Sequence, residues 1–297
     1  MSPEQQGALL AGPALRPPGD VQPDFDNAAN GDGLGYGVLT TCASLCALVV
    51  GMRVYVKVCC SRKAEVEDGL AVAALGVFAG YVYFLYHILH FPGLYVHQWN
   101  VRLGDLAGVL YDIHTGTTLY GVVVVVLKAG ILLEWVRIFV PLGSRNAFFW
   151  TCHVVMWLNI LFYAACTLVE MFLCSPRERA WNRLVPGKCV NNAAVIVVSS
   201  AMNLISDVVI LVLPQRIIWA LKLSTHKRVG LSLVFAVGVF GCVSGALRMV
   251  YSVRFLHTDD VTYAISPLGL WCVGEITSGF FILCAPSIPK ALKDSAV

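Results

Sequence analysis

Apolar residues run through this chain in long blocks, at about 38–58, 69–91, 117–140, 148–173, 194–213, 230–250 and 266–286, divided by polar or Pro/Gly-bearing loops. Each block reaches the roughly 20 residues that a helix needs to cross a hydrocarbon core about 30 Å thick. Runs such as Val122 to Leu127 do not alternate, which excludes the strands of a spanning barrel. The pattern predicts an all-α fold, a seven-transmembrane helix bundle forming a single membrane domain over residues 35–290.

The flanks differ. Residues 1–34 carry Pro13, Pro17, Pro18 and Pro23 with the acids Glu4, Asp20, Asp24, Asp26 and Asp32, and lack the basic start and early apolar run of a signal peptide. They read as a disordered N-terminal tail, and residues 291–297 as a short C-terminal one. Composition agrees with a chain dissolved in lipid: 58% of residues are hydrophobic, 13% are charged, and the mean hydropathy is +0.73. The net charge of +3 is small and its cations are scattered, which argues against a nucleic-acid partner.

Cations in short loops stay on the cytoplasmic side of a membrane. Placing the N-terminus outside and the C-terminus in the cytoplasm puts the larger share of Lys and Arg inside, among them Arg53, Lys57, Arg62, Lys63, Arg137 and Arg145. That orientation is the expectation, with the plasma membrane favoured over an endomembrane. It leaves Cys174 and Cys189 in an external loop at the mouths of the fourth and fifth helices. There they would form a disulfide pinning the loop across the bundle, or else remain two unpaired thiols.

An ionisable residue inside a bilayer is costly, about 2.5–3.5 kcal/mol on insertion scales, unless it meets a partner or a wet cavity. Lys128, Asp207, Arg248 and Glu275 all fall within apolar blocks, and Asn203 lies one turn before Asp207. These five residues are the candidate buried polar cluster. Two roles are open to them: pairing that sets helix register, or a site for a ligand, ion or proton. Glu134 and Arg137 share the end of the third helix. His87 and His90 share a helix face but lie among aromatic residues typical of an interfacial belt, so no metal site is expected. After Pro214, a segment with an apolar face carries Arg216, Trp219, Lys222, Lys227 and Arg228. This amphipathic stretch would anchor the chain at the interface or act as a cytoplasmic coupling loop.

Several motifs occur together and in order. Asp207 to Pro214 is followed by Ile218, Trp219, Leu221, Leu223, Lys227, Gly230 and Phe235; Lys128 to Phe139 reads KAGILLEWVRIF; the external loop begins CSPRERAW; Arg248 follows; and WCVGE, Trp271 to Glu275, leads to Pro286. Over about 38–290 this resembles the fungal rhodopsin-domain family of integral membrane proteins, the satratoxin-cluster type. Glu67-Asp68 is similar to the family's acidic pair. The resemblance implies a seven-helix fungal membrane protein, often encoded beside secondary-metabolite enzymes, and no known reaction.

A retinal reading of the family label conflicts with the residues, since Trp271 to Pro286 contains no lysine. No cofactor is expected. Two function classes remain. One is a receptor-like sensor, taking a small lipophilic ligand between its helices and signalling to a cytoplasmic partner. The other is a membrane-embedded enzyme or accessory protein in which Asp207 or Glu275 performs acid/base chemistry on a lipophilic intermediate.

Overall fold

A computed structural model describes residues 2–61, 64–141, 143–215 and 225–287. Among these residues helices predominate, joined by loops, and the strands are confined to a two-residue ladder. Seven long helices run up and down: α2 (Asp32–Tyr55), α3 (Val66–His90), α4 (Leu103–Phe139), α5 (Ala147–Met171), α6 (Asn192–Val212), α7 (Thr225–Leu256) and α8 (Val261–Cys284). They follow the short helix α1 (Pro3–Ala11).

Local chemistry marks where several helices begin. Asn146 accepts from the Phe149 N–H at 3.0 Å, Asn191 from the Ala194 N–H at 3.2 Å, and Asp260 from the Tyr263 N–H at 3.4 Å. Such side chains satisfy amides that the first helical turn leaves without partners. Glu65 and Asp68 close a reciprocal cap at the start of α3.

Among the described residues, six stretches are long and apolar enough to cross a membrane: Asp32–Cys59, Val66–His90, Ala147–Met171, Asn192–Val212, Ser232–Leu256 and Val261–Ser287. The protein is a multi-pass membrane protein. The 37-residue α4, one of the seven spans expected from the pattern, is not among those six. It is also the helix that packs against both α3 and α5 and buries Asp112, Lys128 and Glu134.

The bundle is apolar outside, and its largely apolar core encloses buried polar networks. Trp157, Leu158 and Leu161 of α5 and Val198, Ile205 and Val209 of α6 lie exposed, whereas Arg53, Lys128, Asn203, Arg248 and Glu275 are each no more than 6% exposed. Lipid tails solvate the first set, so only the second needs partners from the protein.

Within residues 1–34 a capping box on Ser2 and Gln5 starts α1, and the chain then meets the start of α4, with the Ala14 amide donating to Val101 O at 2.8 Å and the Leu103 amide to Gly12 O at 2.9 Å. α4 begins at Leu103, well before residue 117, and among its early polar residues Asp112 is buried and meets His87 Nδ1 at 2.6 Å. Of the proposed coupling loop, Arg216, Trp219 and Lys222 lie outside the described residues, as do residues 291–297; Lys227 and Arg228 belong to the backbone of α7.

Candidate functional site

The five residues singled out from the sequence meet at one level of the bundle. Lys128 on α4 donates to Asp207 Oδ1 at 2.9 Å, to Asn203 Oδ1 at 2.7 Å and to the Asn203 carbonyl and Ser206 Oγ, each at 3.2 Å. Asn203 spends both amide hydrogens on carboxylates, reaching Asp207 Oδ2 at 2.9 Å and Glu275 Oε1 at 2.7 Å. Glu275 on α8 also receives the Tyr120 hydroxyl at 2.9 Å and Arg248 Nε at 3.1 Å. Arg248 on α7 sends Nη1 to Ser200 Oγ at 2.8 Å, and Ser200 is 2.9 Å from Ser252 Oγ.

Helical spacing explains this convergence. Ser200, Asn203 and Asp207 recur at intervals of three and four along α6, which places them on one face. Tyr120 and Lys128 are eight residues apart on α4 and share a face too. Sequence reasoning missed Tyr120, Tyr163, Asn159, Ser200 and Ser252. The Tyr163 hydroxyl donates to Asn203 Oδ1, and Ser206 Oγ to Asn159 Oδ1 at 2.6 Å. Asn159 was the detectable signal, a lone amide in the apolar α5. The tyrosines carry no such mark, because their rings suit an apolar helix equally well.

Two cations and two carboxylates balance in this layer, so each charge has its counterion. Rings reinforce the cations: Arg248 Cζ lies 5.1 Å from the Tyr120 ring centre, and Lys128 Nζ lies 5.7 Å from that of Tyr163.

A second buried network closes the end where α2 finishes. Arg53, with a fully buried side chain, binds Asp68 at 2.7 Å, Glu134 and the Leu283 carbonyl. Lys57 adds a 3.3 Å contact to Asp68, while Arg137 pairs with Glu65 and with Glu67 at 2.7 Å. In the sequence Arg53 is one loop-proximal cation among many. Only the packing of α2 against α8 makes it internal.

The polar layer separates two cavities. Toward the Arg53 end lies a space of about 90 Å³ bounded by Lys128, Asp207, Glu275, Trp135 and Pro214. Toward the opposite end lies one of about 110 Å³, bounded by Tyr81, Tyr120, Tyr163, Arg248 and Cys272. Ile113, Thr117, Glu170, Ile196 and Ile265 line both this second cavity and a vestibule of about 550 Å³. The vestibule sits beneath the loop after α5. Cys174 and Cys189 are joined there by a disulfide, within a ladder of β1 (Cys174–Ser175) and β2 (Lys188–Cys189).

Gly187 approaches the Ser175 carbonyl so closely that a Cβ would clash, and Arg179 Nη1 donates to Val185 O. The neighbouring 91–102 loop is tied to α8: His97 Nδ1 meets Asp260 Oδ2 at 2.6 Å with its ring stacked between Trp99 and Tyr263, and Thr262 Oγ1 donates to Val96 O at 2.8 Å.

Among the described residues, no group of three or more His, Cys, Asp or Glu side chains is placed to hold a metal ion. Nor do the residues fit a retinal Schiff base. The last helix has no lysine, and Lys128 is committed to four acceptors beside a cavity far below the roughly 300–1,000 Å³ of ordinary ligand pockets.

Comparison with known proteins gives the lineage. Fugralins biosynthesis cluster protein 2 of Gibberella zeae is 38% identical over 291 residues, covering 97% of this chain and 72% of that protein. A SAT4 family membrane protein of Emericella nidulans is 33% identical over 193 residues, 65% of this chain and 48% of its own length. Receptor GIN3 of Arthrobotrys oligospora is 21% identical over 251 residues, 82% of this chain and 58% of its own. No solved structure matches. The fungal rhodopsin domain model matches residues 52–294, and with most of its length inside that match the chain belongs to the fungal rhodopsin domain family.

Proposed function

We propose that this protein is a receptor-like sensor in which a small lipophilic ligand, entering from the disulfide-tied end, biases a two-state bundle. The carrying observation is the vestibule of about 550 Å³, which shares its walls with the cavity above the Arg248–Glu275 pair. A ligand there would bear on Tyr120, Tyr163 and Arg248, and through them on helices α4 to α8. Such a ligand shifts the bundle only by its differential affinity for the two states. In this reading α4 is the seventh crossing, since 37 residues extend about 55 Å and exceed a hydrocarbon core of about 30 Å. The disulfide end faces outward, the Arg53 end and the 214–229 segment face the cytoplasm and a signalling partner, and the plasma membrane is the site of action.

Pairing of the acids weighs against the enzyme alternative. A general base must reach its substrate's proton at about 2.6–3.2 Å, and Asp207 and Glu275 spend their oxygens on Lys128, Asn203, Tyr120 and Arg248. What favours a pathway role is the name of the Gibberella zeae relative, a biosynthesis cluster protein.

Deletion of the coding gene, with metabolite profiling and complementation by Asp207→Asn and Glu275→Gln, separates the two. A sensor gives lost responses to external hydrophobic cues. Intact responses after deletion refute it. Unchanged metabolites, with no turnover of pathway intermediates by purified protein, refute the enzyme.

A further inference from the structure

Among the described residues two buried side-chain polar atoms lack a hydrogen-bond partner, Ser244 Oγ and Arg248 Nη2, and Arg248 belongs to the polar layer. Its Nε serves Glu275 and its Nη1 serves Ser200, but Nη2 is buried without a hydrogen-bond partner among the described residues. An orphaned guanidinium nitrogen inside a bilayer protein is costly. The residue lines the cavity of about 110 Å³, whose other walls include Leu39, Phe84, Leu85 and Cys272. We infer that this cavity is a head-group site for an elongated apolar molecule ending in a neutral carbonyl, a ketone, ester or amide, whose oxygen accepts from Arg248 Nη2. The inference rests on the sensor reading above and names the ligand chemistry of that same path.

Charge balance selects the neutral head. Lys128 and Arg248 are already matched by Asp207 and Glu275, so a carboxylate would bring a third negative charge beside Glu275 in a low-dielectric space. Tyr120 and Tyr163 already donate their hydroxyls to Glu275 and Asn203, which leaves the guanidinium as the open donor.

Size selects the shape. A protein cavity of about 150 Å³ accepts benzene, so about 110 Å³ takes only a compact head. The body must lie along the passage toward the vestibule, lined by Ile113, Thr117, Ile196 and Ile265 together with Glu170, a second carboxyl that disfavours an anionic ligand.

The test is displacement of tritiated 2-dodecanone from the purified full-length protein in nanodiscs. Unlabelled 2-dodecanone should compete about tenfold or more better than dodecane or dodecanoate at pH 7, the worth of one hydrogen bond to a charged donor. Arg248→Lys retains the positive charge but loses the forked donor, and should abolish that preference over dodecane. Gly116→Leu fills the chamber; Thr117→Phe plugs the passage. Neither residue belongs to the polar network, and each variant should remove saturable binding.

Equal competition by dodecane, stronger competition by dodecanoate, or saturable binding that survives both blocking variants overturns the proposal. Absence of saturable ketone binding by the unmodified protein does so as well. Because this is binding by purified protein, its failure is distinct from a deletion strain that keeps its cue responses.

Discussion

Lys128→Met tests whether the polar layer is a true buried ion-pair system. The change keeps side-chain length and removes an ammonium with four acceptors: Asp207 Oδ1, Asn203 Oδ1, the Asn203 carbonyl and Ser206 Oγ. Asp207 would keep a single donor, Asn203 Nδ2 at 2.9 Å. Removing one partner of a buried pair costs about 3–5 kcal/mol, because the other charge is left uncompensated. The Asp207 side chain is 17% exposed toward the Arg53-end cavity, which places the expected loss near the lower limit, about 3 kcal/mol.

Adding Asp207→Asn removes the orphaned charge, so the double variant should recover about 1–3 kcal/mol relative to Lys128→Met alone. Reversible SDS-induced unfolding in mixed micelles, followed by tryptophan fluorescence, measures both. A single variant within about 1 kcal/mol of the unmodified protein, or a double variant no more stable than the single, would refute the ion-pair reasoning.

Other consequences follow from the same geometry. Arg53→Met strands Glu134 while Lys57 still neutralises Asp68, so it should cost about 3 kcal/mol and be largely rescued by Glu134→Gln in the same assay. Replacing Cys174 and Cys189 by Ser frees a loop of separation 15 and should lower stability by about 3 kcal/mol on the loop-entropy model; protease digestion should then cut that loop first. A Cβ at Gly245 would sit 3.4 Å from Asp207 Oδ2, so Gly245→Ala should be tolerated, whereas Gly245→Leu should cost about 1–3 kcal/mol by overpacking, read as a lower unfolding midpoint. Asp32→Ala removes the acceptor for the Leu94 amide at 2.7 Å, and faster hydrogen exchange at Leu94 is the expected signature.

The helices and the polar cluster were legible in the sequence for a simple reason: lipid offers backbone and charge no partner. Apolar runs of spanning length must therefore be helical, and Lys128, Asn203, Asp207, Arg248 and Glu275 must face inward. Family motifs followed from the chain alone, which left Cys174 and Cys189 either paired or free until the fold joined them. Tertiary structure decided which charge meets which, since Lys128 and Asp207 are 79 positions apart and only the crossing of α4 and α6 brings them together.

Packing also made Arg53 internal, although its place near a helix end suggested a loop cation. The N-terminal segment is polar and proline-rich, and no local pattern in it reveals the backbone partners that Gly12 and Ala14 have at the start of α4. Composition dictates the solvent of each residue. The long-range pairings, and with them the cavity beneath the vestibule and its unpartnered guanidinium nitrogen, arise only when α4 and α8 are placed between the remaining helices, since both polar networks share those two helices.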